Sequence, residues 1–238
     1  MNDMEPQKKS FNIKILVEIT IVFLTILSIK HLADYFDVIG AGSIAIWCGI
    51  IVSTIFMKQK KINWKELGPK IPKGTKNWMI NILITLGTVI LVFSIMGLIV
   101  KPILESFGLT NPAGVADRFA FFMGKPLVFI GYLITVVWFG AALGEELLFR
   151  GYLLNRLVDC TGNNTLGIII ALIIHAVIFG MLHIYQGLAG VIATGCIALI
   201  FGSVYFIIKR KLFPIIIAHG IINSLSLIGL YFNNGVIS

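Results

Sequence analysis

The chain has 238 residues, of which 58% are hydrophobic and only 13% charged, with a net charge of +8. A soluble domain is about a quarter charged, so this composition excludes an ordinary aqueous globule. The basic excess does not point to nucleic acid, because the lysines sit in short clusters between apolar runs, where they set membrane topology.

A helix crossing ~30 Å of hydrocarbon needs roughly 20 apolar residues. Seven segments meet or approach that length: 14–33, 38–57, 77–100, 126–146, 165–183, 187–208 and 212–231. The expected fold is an all-α, polytopic transmembrane helix bundle of about seven spans (six to eight), forming a single transmembrane domain over 1–238. Lys8, Lys9 and Lys14 precede the first segment, which is too long for a signal-peptide core and lacks a small-x-small cleavage site. It reads as an uncleaved span. The stretch 58–76 carries Lys58, Lys60, Lys61, Lys65, Lys70, Lys73 and Lys76, a strong cytoplasmic marker. Arg150 and Arg156, then Lys209, Arg210 and Lys211, fall on the same side. The loop at Asp34 and Asp37 and the tail from Asn233 fall on the other. The expected orientation is N-terminus inside, C-terminus outside, in a multi-pass cell membrane, with a Lys-, Ile- and Asn-rich composition suggesting a bacterial plasma membrane.

The loop 101–125 is the longest on the outer side, and its Phe119 to Met123 run is expected in the membrane interface. Light Gly-Pro punctuation predicts mostly continuous helices. Cys48, Cys160 and Cys196 are odd in number and widely spaced, with no metal-ligand pattern, and read as small buried hydrophobes.

Ionisable groups within spans are expensive and by default functional. Three places break the apolar rule: Gly144-Glu145-Glu146-Leu147-Leu148-Phe149-Arg150, then His175 with Phe179 and His183, then His219 with Asn223. Glu146 and Arg150 are four apart and can pair on one helix face. Glu145 is turned by ~100° from Glu146, so one carboxylate can be held by arginine while the other faces a cavity. Phe179 lies one turn before His183 and can pack beside its ring, while His219 and Asn223 can point to one place. A carboxylate, two imidazoles and a carboxamide converging in a cavity can do acid–base chemistry on water and stabilise an oxyanion. Each group alone also has a structural reading. The Glu-Arg pair can be a lock or topology anchor, His175 a helix–helix hydrogen bond, and His219 with Asn223 interhelical glue.

Together, Glu145-Glu146-x-x-x-Arg150, Phe179-x-x-x-His183 and His219-x-x-x-Asn223 resemble, in order, the three motifs of the CAAX protease and bacteriocin-processing (CPBP, or Abi) family, whose eukaryotic relative is the Ras-converting CAAX endopeptidase. The resemblance covers about 125–232, the expected catalytic core; the spans over 14–100 match only generically and are taken as accessory. It implies a glutamate-dependent intramembrane endopeptidase acting on a peptide or membrane-protein segment near the cytoplasmic face. By analogy, Glu145 and His183 activate the water, His219 and Asn223 form the oxyanion hole, and Glu146 and Arg150 orient the site. A Glu-His-His set can hold zinc in principle, but with no HExxH the metal-free route is expected, with no cofactor. Rhomboid-type GxSG and presenilin-type GxGD signatures are absent. The readings kept beside it are a non-catalytic immunity or sensor-regulating scaffold of the same family and, with no visible repeat to support it, a proton-coupled transporter.

One expectation conflicts with the segment boundaries. They put Glu145 at the inner end of its span and His183 at the outer end of the next, too far apart to share a water. Either the fourth helix continues through Arg150 toward Asp159, or the fifth runs past His183.

Overall fold

The computed structural model describes residues 13–68, 70–110, 112 and 114–233. Lys8, Lys9 and the tail beyond Asn233 lie outside the described residues. Seven long helices follow one another: α1 (Ile13–Tyr35), α2 (Ala41–Gln59), α3 (Thr75–Ser106), α4 (Pro126–Thr161), α5 (Thr165–Met181), α6 (Ile184–Ile207) and α7 (Phe213–Phe232). Among the described residues there is no strand, and the all-helical bundle agrees with the expected fold. Helices α2, α3, α4, α6 and α7 are long and apolar enough to cross a membrane; α5 is apolar but has 17 residues, the lower limit for a span. Large apolar side chains point outward along the helices, with Leu83, Leu98, Leu127 and Ile207 each more than two-thirds exposed. Lipid, not water, is the solvent that tolerates such a surface.

Small residues set how closely the helices approach, as expected where lipid removes the hydrophobic drive between them. A methyl at Gly49 would lie 2.7 Å from Ile26 on α1. At Gly140 of α4 it would lie 1.9 Å from Ser43 Oγ on α2, and at Gly180 of α5, 2.5 Å from the Val191 carbonyl on α6. The core runs through all seven long helices as one apolar cluster.

The lysine-rich end is held by polar contacts. Glu18 of α1 pairs with Lys60 Nζ at 2.6 Å and Arg156 Nη2 at 3.2 Å, and Arg156 Nη1 also reaches Asp159 at 2.5 Å. The Tyr205 hydroxyl donates to the Leu67 carbonyl at 3.0 Å, and the Leu212 amide donates to the Gly68 carbonyl at 3.0 Å. Gly68 has φ +109°, and a methyl there would sit 2.1 Å from the Arg210 carbonyl, so only glycine fits.

Two boundaries differ from the sequence reading. Helix α3 continues through Lys101 to Ser106, and α4 continues well past Glu146 to Thr161. Over Leu133–Leu154, α4 is wound with i→i+5 hydrogen bonds, a wider form found mostly at functional sites. The aromatic run after Arg118 is partly drawn into the bundle. It forms a short 3₁₀ helix, Ala116–Phe122, whose Phe122 is fully buried against Phe129, Tyr132 and Tyr231. All three cysteines are unpaired and half-buried.

Candidate active site

Helix α4 resolves the conflict between Glu145 and His183. It turns into α5 at Gly162 (φ +101°), and the Asn164 side chain caps α5 by accepting from the Gly167 amide at 2.8 Å. Glu145 lies 16 residues before Thr161, and His183 lies 18 after Thr165. At 1.5 Å per residue they stand ~24 and ~27 Å from the turn, at one level. The first of the two alternatives is the observed one; α5 ends at Met181, and His183 sits in the tight turn after it.

The buried centre is Glu146, with no solvent exposure. Its Oε1 accepts from Arg150 Nη1 at 2.8 Å and from His219 Nδ1 at 2.8 Å. The expected Glu146–Arg150 pair is present, and His219 is bound to it from α7. The Arg150 guanidinium lies over the rings of Phe179 (4.9 Å) and Phe201 (5.3 Å), so its faces meet π clouds where no carboxylate reaches. Phe179 also packs beside His183, centroid to centroid 4.9 Å, as its spacing predicted. The Phe179 backbone carbonyl lies 2.9 Å from His183 Nδ1. Since a carbonyl only accepts, Nδ1 carries the hydrogen, leaving Nε2 as the free ring nitrogen.

Glu145 is turned away from this cluster. Its side chain keeps 20% exposure, and Oε2 stands 4.0 Å from His219 Nε2. The two carboxylates thus differ as their register predicted, one locked and one facing space. Glu145, Arg150, His183, His219 and Asn223 all line one cavity of about 880 Å³. Glu146 lies behind it, holding His219. Among the described residues, no three His, Cys, Asp or Glu side chains converge as metal ligands, and Glu146 Oε1 is already engaged by two donors.

His175 makes no helix–helix hydrogen bond among the described residues and lies behind the site. It is fully buried between Phe149 (6.1 Å) and Phe179 (6.5 Å), and neither ring nitrogen has a hydrogen-bond partner among the described residues. Other contributors carried no sequence signal. Phe201 is one more apolar residue in an apolar span. Trp138 packs against Gly220, where a methyl would lie 2.6 Å from the indole, and so fixes α7 beside His219.

The cavity also runs opposite to the expected direction. Its floor is Phe149, Arg150, Phe201 and His219; its mouth is at Asp34, Asp37, Arg118 and Tyr185. No residue of the lysine-rich stretch 58–76 lines it, so it does not open toward the end where the cut was expected.

Residues 127–225 match the family of type II CAAX prenyl endopeptidase Rce1-like proteins. This segment is similar to that family. The match spans all three motifs, and the resemblance read from them holds. No curated protein and no solved structure matches the chain. The Rce1-like segment runs from α4 into α7, the stretch that holds the six motif residues, and the chain is a multi-pass membrane protein.

Proposed function

We propose that the protein is a glutamate-dependent intramembrane endopeptidase of a bacterial plasma membrane, hydrolysing a peptide bond without a metal. The observation that carries this is the division of labour between adjacent carboxylates: Glu146 is locked by Arg150 and His219, while Glu145 faces His219 Nε2 across 4.0 Å in the cavity that His183 and Asn223 also line. Water in that gap attacks the scissile carbonyl carbon, and Glu145 takes its proton with His183 Nε2 as the second acceptor. The carbonyl oxygen becomes the oxyanion and is received by the Asn223 carboxamide N–H and His219 Nε2–H. With Nδ1 donating to Glu146, donation from Nε2 as well requires the imidazolium form of His219. That cation, with Arg150, balances the two glutamates, so the site is electrically neutral when poised. Collapse breaks the C–N bond, and the proton held by Glu145 passes to the leaving amine.

The test compares membrane and medium peptides from a deletion strain carrying wild-type protein or Glu145→Gln. Glu145→Gln keeps shape and removes the base, so cleavage should fall by at least the ~10²-fold of general-base loss with melting unchanged. Near-normal cleavage by Glu145→Gln alongside an inactive His183→Ala would refute the assignment. Purified protein should also retain turnover after exhaustive chelation; loss that stoichiometric zinc restores would make these side chains ligands. A scaffold without catalysis predicts no Glu145-dependent fragment.

A further inference from the structure

The orientation of the cavity says where its substrate comes from. At one end of the bundle lie the α1 start, the α2–α3 and α6–α7 connections and the α4–α5 turn. Among the described residues, the basic side chains there are Lys14, the seven lysines of 58–76, Arg156, Lys209, Arg210 and Lys211, against Glu18, Glu66 and Asp159. At the other end, Lys30, Lys101, Arg118 and Lys125 are matched by Asp34, Asp37, Glu105 and Asp117. Short loops rich in lysine and arginine stay in the cytoplasm, so this bundle holds its basic end inside. The cavity reaches the balanced end. Its floor is Arg150 and His219, and everything below that floor, toward the basic end, is sealed. There Tyr152, Leu153, Leu154 and Leu212 are fully buried, and Asn155 and Tyr205 bond to each other and to the 60–74 and 208–212 connections.

We infer that the site is fed from the extracytoplasmic face, and that its substrate is an extended peptide segment presented there, on an exported peptide or on the outer flank of a membrane protein. This rests on the endopeptidase reading and goes beyond it. The volume of about 880 Å³ lies within the ~300–1,000 Å³ of ligand pockets, suiting a few extended residues and not a folded domain. The wall includes aromatic and aliphatic side chains, Phe119, Phe121 and Tyr132 with Ile197, Leu227 and Leu230, which selects apolar side chains next to the cut. The mouth carries both signs of charge, with Lys30 paired to Asp34 and Arg118 stacked on Tyr185 at 4.4 Å. A fixed charge on the substrate is therefore not what admits it.

The experiment uses the full chain with Cys48, Cys160 and Cys196 replaced by Ala and one cysteine introduced at a time. An impermeant maleimide applied to intact cells should label Asp37→Cys at the mouth and Asp117→Cys in the short 3₁₀ helix Ala116–Phe122. It should label Lys65→Cys only after permeabilisation. The reverse pattern at Lys65 and either outer position overturns the inference, and using two outer positions guards against one variant failing to fold. In parallel, fragments that depend on Glu145 should map to extracytoplasmic segments. Cuts mapping to cytoplasmic segments would overturn the inference and leave the peptidase standing. A complete absence of such fragments would sink the peptidase, and the substrate with it, whatever the labelling shows.

Discussion

A carboxylate with no solvent exposure costs several kcal/mol in desolvation unless it is paired, and Glu146 is paired twice through one oxygen, to Arg150 and His219. The Glu146→Gln variant keeps the volume but leaves Arg150 as a buried cation with only ring faces around it. Removing one partner of a buried pair costs about 3–5 kcal/mol, so melting in detergent should fall steeply. Neutralising the other side as well, in Glu146→Gln with Arg150→Met, should recover part of that loss. Equal melting of the single and double variants would mean that the pair does not hold the site. At this scale the sequence was informative because charge is so rare in it. Spacing alone paired Glu146 with Arg150 and turned Glu145 away. It did not pair Glu146 with His219, 73 residues distant, nor find Phe201, since nothing local distinguishes a phenylalanine over a guanidinium from one facing lipid.

Helix α7 brings His219 to α4 only because Gly220 lets the Trp138 ring lie against the backbone. A methyl at Gly220 would meet that ring at 2.6 Å, well inside contact distance. Gly220→Ala should therefore push α7 off α4 and lengthen the His219–Glu146 hydrogen bond. Overpacking of this kind costs about 1–3 kcal/mol, and activity should fall further than stability, because misplacement of catalytic groups by ~1 Å can cost 10²-fold in rate. Trp138→Leu in the same chain makes room and should restore part of the turnover, a coupling that a double-mutant cycle reads directly. Strict additivity of the two losses would show that the contact does not position His219. The helix ends were harder to see than the helices. Hydropathy stopped α4 at 146 because Glu146, Arg150, Arg156 and Asp159 interrupt the apolar run, yet three of these are buried and all four are paired. Two of them also reach partners on other helices, Glu146 to His219 and Arg156 to Glu18, beyond the reach of any local window. The burial of Phe122 was hidden for a similar reason: one of the rings against it, Tyr231, lies more than a hundred residues away.

The whole molecule joins two unlike halves. Helices α4 to α7 carry the motif residues, while α1 and α2 contribute one cavity wall, from Ile26 to Ile46, and are tied to α4 at the basic end by Glu18. That carboxylate holds Arg156 at 3.2 Å and Lys60 at 2.6 Å, with its side chain only 12% exposed. Glu18→Gln would leave Arg156 with Asp159 alone, itself half exposed, and would release Lys60 to the surface. The expected loss lies between the ~1 kcal/mol of an exposed pair and the ~3–5 kcal/mol of a buried one, seen as a lower melting temperature. Glu18 is at the sealed end, far from the cavity, so turnover per folded molecule should stay at the wild-type level. Arg156→Met on the same background removes the uncompensated cation and should raise melting back toward wild type. Two measurements in one detergent decide it, melting and activity normalised to folded protein. If Glu18→Gln melts normally but turns over poorly, the first two helices are coupled to the chemistry itself, and their role is more than to wall the cavity.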